Sequence, residues 1–126
     1  MKINSISGVS CFASDLDRTA EFYEALGFHL GKREPDRLTC YVNWFWVTFM
    51  AQDSEEEPER KKEAKLSGRG AGQYLHFKVD DIDEHYKAVV ARGMNPSSEP
   101  RKLPTGNREF VLRDPDGYKL VFFAKK

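Results

Sequence analysis

A chain of 126 residues with 40% hydrophobic content fits one compact domain whose core needs neither disulfides nor metal. Lys plus Arg and Asp plus Glu both number 20, so the net charge is zero and no electrostatic case for nucleic acid or an anionic membrane follows. No apolar run is long enough to span a bilayer and MKINSISGVSCF lacks a signal-peptide apolar region, so the expectation is a soluble, cytoplasmic protein. Cys11 and Cys40 lack a CxxC spacing and read as small buried hydrophobes.

Residues 8–13 alternate, with Val9, Cys11 and Ala13 on one face and Gly8, Ser10 and Phe12 on the other, which predicts a strand. Asp15 then reads as an N-cap. Leu16, Thr19, Phe22, Tyr23 and Leu26 follow at helical spacing up to Gly27, a natural stop. Strands are expected over 28–33 and 38–42, either side of Glu34-Pro35-Asp36, and a longer aromatic strand over 43–50. Residues 52–72 change character to DSEEEPERKKEAKLSGRGAG, with charges of both signs, and read as a solvated connection in which a helical turn or two within 55–65 has room to form. GRGAG over 68–72 lacks a preceding strand, which makes it weak as a nucleotide loop.

The first pattern then returns. A shift of 66 positions lays Val9, Cys11, Ala13, Asp15, Leu16, Asp17 and Gly27 on Leu75, Phe77, Val79, Asp81, Ile82, Asp83 and Gly93. Strand, cap, helix start and helix stop are preserved together. Ile82, Tyr86, Val89 and Val90 form the second helix stripe, 96–104 is loop with room for a short strand near Ser98, and His85 reads as a surface residue. The chain ends in two β-rich runs around Asp114-Pro115-Asp116-Gly117, a tight-hairpin signal.

The fold class that follows is α+β, with two βαβββ modules: module 1 over about 5–51, a linker over about 52–72 and module 2 over about 73–126. Val9, Cys11, Ala13, Leu75, Phe77, Val79, Leu120 and Phe122 are expected under the helices. The opposite strand faces carry Phe12, Trp44, Trp46, Thr48, Met50, Tyr74, His76, Lys78, Val121 and Phe123, too aromatic for an ordinary solvated sheet and suited either to a ligand cavity or to a dimer interface.

SDLDRTAEFYEALGF, VDDIDEHYKAVVARG and RDPDGYKLVFF together resemble the vicinal oxygen chelate superfamily, which holds glyoxalase I, extradiol dioxygenases, fosfomycin-resistance enzymes and bleomycin-resistance-type binding proteins. The resemblance implies a cup-shaped half barrel of mixed β-sheet with flanking helices, in a single domain over 1–126 that pairs as a homodimer. It also implies metal-ligand positions on the first and last strands of each module, which fall here on Gly8, Thr48, Tyr74 and Val121. Glycine and valine offer no donor and threonine or tyrosine is a poor lone ligand, so neither a metal nor another cofactor is expected.

Phe12, Trp44, Trp46, Thr48, Met50, Tyr74, His76, Val121 and Phe123 are therefore the candidate ligand-binding residues, for a planar or aromatic small molecule. Lys78, Glu109 and Arg113 are placed to orient polar groups. Two readings follow: a metal-independent binding protein of the bleomycin-resistance type that sequesters an aromatic compound, as in antibiotic resistance, or a metal-free isomerase, cyclase or lyase using His76 or Tyr74 as acid or base. A glyoxalase or dioxygenase with displaced metal ligands ranks third.

Overall fold

The computed structural model describes residues 1–125 and comprises two compact units, Met1–Ser67 and one that begins at Gly68. The first contains β1 (Gly8–Ala13), α1 (Leu16–Ala25), β2 (His29–Glu34), β3 (Arg37–Val42), β4 (Phe45–Ala51) and α2 (Pro58–Ala64). The second contains β5 (Tyr74–Lys78), α3 (Ile82–Ala91), β6 (Arg101–Lys102), β7 (Arg108–Arg113) and β8 (Lys119–Ala124). Each unit carries one βαβββ module and one four-stranded mixed sheet, ordered β1-β4-β3-β2 and β5-β8-β7-β6. In both, the first strand runs parallel to the last.

The repeat seen in the sequence is physical. Asp15 Oδ1 accepts from the N–H groups of Asp17 and Arg18 at 3.1 and 3.2 Å, and Asp81 Oδ1 accepts from those of Asp83 and Glu84 at 3.1 Å each. Both caps satisfy donors that the first helical turn otherwise leaves open, worth about 1 kcal/mol apiece. Beneath α1, the buried Tyr23 ring meets Phe28 at 5.0 Å and Phe49 at 4.8 Å between centroids. Beneath α3, Phe110 and Phe122 lie 5.4 Å apart, with Phe77 5.5 Å from Phe122. Each module thus buries its own aromatic cluster, and such ring pairs add about 0.5–1.5 kcal/mol beyond area burial.

The terminal hairpin turns on Asp114. Its carboxylate accepts the N–H groups of Asp116 and Tyr118 at 2.9 Å each, while the N–H of Gly117 donates to the Asp114 carbonyl at 2.9 Å. The GRGAG stretch packs on this turn: Arg69 Nη1 lies 3.1 Å from Asp116 Oδ1, both side chains mostly buried. Gly70 has φ +70°, and a Cβ there would lie 2.8 Å from Tyr118 Cδ1, so only glycine lets the loop approach the ring. Gly70 alone of these glycines serves this contact.

The short helix for which 55–65 had room is α2: Glu57 caps it, accepting from Glu59 N and Arg60 N at 3.2 and 3.0 Å, and Pro58 pre-sets the first turn. Three expectations are corrected. The short strand of the second module is Arg101–Lys102, paired with Glu109 and Arg108 of β7, while near Ser98 the chain makes a single bond to β7, from Ser97 N–H to the Val111 carbonyl at 2.9 Å. His85 is no surface residue: its ring lies 4.5 Å from that of Phe122 and 5.9 Å from that of Phe110. Trp44 is not on a strand, since Asn43 adopts φ 54° and the pair forms the β3–β4 turn.

Candidate functional site

In the first module the face away from α1 is built in rows fixed by strand register. Gly8 pairs with Trp46 and Trp46 with Tyr41; Ser10 pairs with Thr48 and Thr48 with Thr39; Phe12 pairs with Met50 and Met50 with Arg37. Thr39 Oγ1 and Thr48 Oγ1 are 2.9 Å apart, which ties up the Thr48 hydroxyl. Phe12, Trp46, Thr48 and Met50 are half-buried, whereas Trp44 in the turn is 66% exposed and turns its ring edge to Phe45 at 5.8 Å. Across β1, β4 and β3 the face carries one charge, Arg37, which sits 3.7 Å from its register partner Glu34 on β2 and 3.8 Å from Asp36.

The Trp46 indole covers Gly8. A Cβ at Gly8 would lie 2.1 Å from Trp46 Cδ2, 2.4 Å from Cε3 and 2.4 Å from the Trp46 carbonyl oxygen, so no larger residue fits without displacing ring and strand.

The second module repeats the register with different chemistry. Tyr74 pairs with Lys119 and Lys119 with Arg113; His76 pairs with Val121 and Val121 with Val111; Lys78 pairs with Phe123, Phe123 with Glu109 and Glu109 with Arg101. Tyr74 and His76 are exposed, Phe123 is half-buried, and Val121 is 2% exposed at the floor of the face. His76 turns its ring edge to Phe123 at 6.4 Å, and Lys119 Nζ stands 4.5 Å from the centroid of the Tyr74 ring. Gly8 and Thr48 occupy in their module the register positions that Tyr74 and Val121 occupy in theirs.

Residue by residue these positions are poor in divalent-metal donors: Gly8 has no side chain, Val121 is a buried aliphatic, and Thr48 and Tyr74 bring only hydroxyl groups. Among the described residues no three His, Cys, Asp or Glu side chains cluster elsewhere in a metal-binding arrangement. Cys40 is fully buried and its thiol is pushed up to about 12 by burial, which removes it as a nucleophile. A separate cleft of about 270 Å³ beside the start of α3 is lined by Asp80, Asp81, Lys102 and Arg108, with Arg108 held 2.8 Å from Asp83.

A sequence profile of the Glyoxalase/Bleomycin resistance protein/Dioxygenase superfamily matches residues 2–122. The chain belongs to this superfamily. It is 30% identical to a lactoylglutathione lyase of Haemophilus influenzae over 89% of this chain and 86% of that one. It is 28% identical to the uncharacterised protein YwbC of Bacillus subtilis strain 168, over 88% of this chain and 90% of its relative. A superfamily enzyme from Burkholderia phytofirmans PsJN, 21% identical, superposes with a TM-score of 0.83 over 95% of this chain and 98% of that one. The α+β class and the two βαβββ modules are those of the superfamily fold. No described helix is long and apolar enough to cross a membrane.

Sequence reasoning missed two features of these faces. The first is the like-charge pairing of Lys119 with Arg113 across β8 and β7, which needs the hairpin register. The second is the closure of Gly8 by Trp46, whose only sequence signal is a glycine opening an aromatic-faced strand.

Proposed function

We propose that this superfamily member binds a planar aromatic small molecule and does so without the divalent metal of the metal-using members, in the manner of a bleomycin-resistance-type binder. The observation that carries this is Trp46 lying on Gly8: the ring fills the space that a ligating side chain on β1 would need. Phe12, Trp46 and Met50 offer the ring and thioether surface of the first module, and Tyr74, His76 and Phe123 that of the second. A cytoplasmic homodimer belongs to the same reading, supported by the exposed rings of Tyr41 near the end of β3, Trp44 in the β3–β4 turn and Tyr74 on the edge strand β5. Calorimetric titration with naphthoate tests the binding: Trp46→Ala weakens it by about 1–3 kcal/mol, the scale of a lost aromatic anchor. Unchanged affinity contradicts the assignment.

A second reading is a metal-free enzyme, favoured by His76, an exposed imidazole two residues from Tyr74 on the same face. In that case His76→Gln lowers turnover by roughly 100-fold or more with the ligand still bound. In a binder the same change alters affinity alone.

A further inference from the structure

The two open faces share a register and differ in charge. On the first, Arg37, the one cation of its inner strands and β1, is flanked by Glu34 and Asp36, and the edge strand β2 adds Lys32 and the carboxylate of Glu34. The second carries Lys78, Arg101, Arg113 and Lys119 against one carboxylate, Glu109. Among the described residues none of those four cations engages in an ion pair, while cations elsewhere, such as Arg33, Arg69 and Arg108, each hold a carboxylate at 2.8 to 3.1 Å.

Lys119 and Arg113 are direct cross-strand partners, an arrangement in which like charges repel and cost stability. Tyr74 relieves Lys119 in part, its ring offering the negative face to the ammonium at 4.5 Å. It brings no charge. A chain whose charges balance overall thus concentrates uncompensated positive charge on the row that borders His76, next to exposed aromatic surface.

We infer that the ligand of the proposed aromatic site is an anion, and that its carboxylate or phosphate group is taken by Lys119 and Arg113 while its ring lies against Tyr74 and His76. The inference rests on the small-molecule-binding reading and adds the ligand's charge class. Arg113 supplies a planar fork suited to a two-oxygen acid group, and Lys119 a point charge beside it. The separation of polar and aromatic surface along one row matches a small aromatic acid. The row beyond Val121 carries Lys78 and Arg101 against Glu109, a net single positive charge, whereas the Tyr74 row carries Lys119 and Arg113 with no carboxylate.

The test compares naphthoate with its neutral carboxamide, equal in shape, by calorimetry at low ionic strength. The full-length protein is expected to bind the acid roughly 10-fold or more tightly than the amide, as charge-assisted hydrogen bonds require, with the preference shrinking as salt is added. Arg113→Gln and Lys119→Gln are each expected to cut that preference several-fold. Arg113→Gln is also expected to leave the thermal stability of the unliganded protein unchanged or raised, because it removes a repulsion. Equal affinities for acid and amide overturn the anion inference and leave aromatic binding standing. An acid preference that both variants retain overturns the assignment to this row. Failure to bind either compound overturns the inference together with the reading beneath it.

Discussion

The indole of Trp46 lies on the backbone of Gly8, so close that a methyl group at Gly8 would sit 2.1 Å from the ring. The two residues are partners in the parallel β1–β4 ladder, so the contact is made by the sheet itself and cannot be relieved by a loop. Gly8→Ala is expected to destabilise the protein by about 1–3 kcal/mol through overpacking, read as a lower urea midpoint. A neutral Gly8→Ala would mean that the ring moves aside freely and that the position is open.

The mostly buried pair Arg69 and Asp116 ties residues 47 apart in sequence and clamps the loop before β5 to the terminal turn. Asp116→Asn removes the carboxylate charge that faces Arg69 at 3.1 Å and is expected to cost about 1–3 kcal/mol. Adding Arg69→Gln to it should recover part of that loss. Strict additivity of the two changes in denaturant titrations would show that they do not act as a pair.

His85 gives the fold a pH dependence. Burial, with Arg92 adding to it, holds the imidazole below its ordinary 6.5, and the ring packs on Phe122 with Nε2 buried and unpartnered among the described residues. The unfolded chain binds a proton near 6.5 that the folded one resists, so stability is full above that pH and falls as the pH drops below it. Urea midpoints measured from about pH 7 down to about pH 5 should therefore decline more steeply for the natural chain than for His85→Leu. Equal slopes would assign the decline to other groups.

The legible parts of this molecule are those whose causes are local. Asp15 and Asp81 announce their helices because a cap acts within three residues, and Asp114 to Gly117 announce the hairpin for the same reason. The aromatic content around Trp44 argues for a strand, but the turn chemistry of Asn43, whose positive φ ends the run, prevails there. β6 is two residues long and exists only through its partner β7, so no periodicity could mark it. Alternation puts Val121 on the face opposite the helix, in register between His76 and Val111, but alternation carries no signal that it is 2% exposed there. GRGAG carried its glycines in plain view, while the Tyr118 ring that requires one of them lies far along the chain.

The most direct test of metal-free binding is calorimetric titration of naphthoate into protein stripped with a chelator, set beside the same protein supplied with one equivalent of zinc, nickel or manganese. Gly8, Thr48, Tyr74 and Val121 offer such an ion no competent shell, so the affinity should be the same in every case and elemental analysis should find no metal held at one per chain. Binding that vanishes on stripping and returns with a stoichiometric ion would contradict the account.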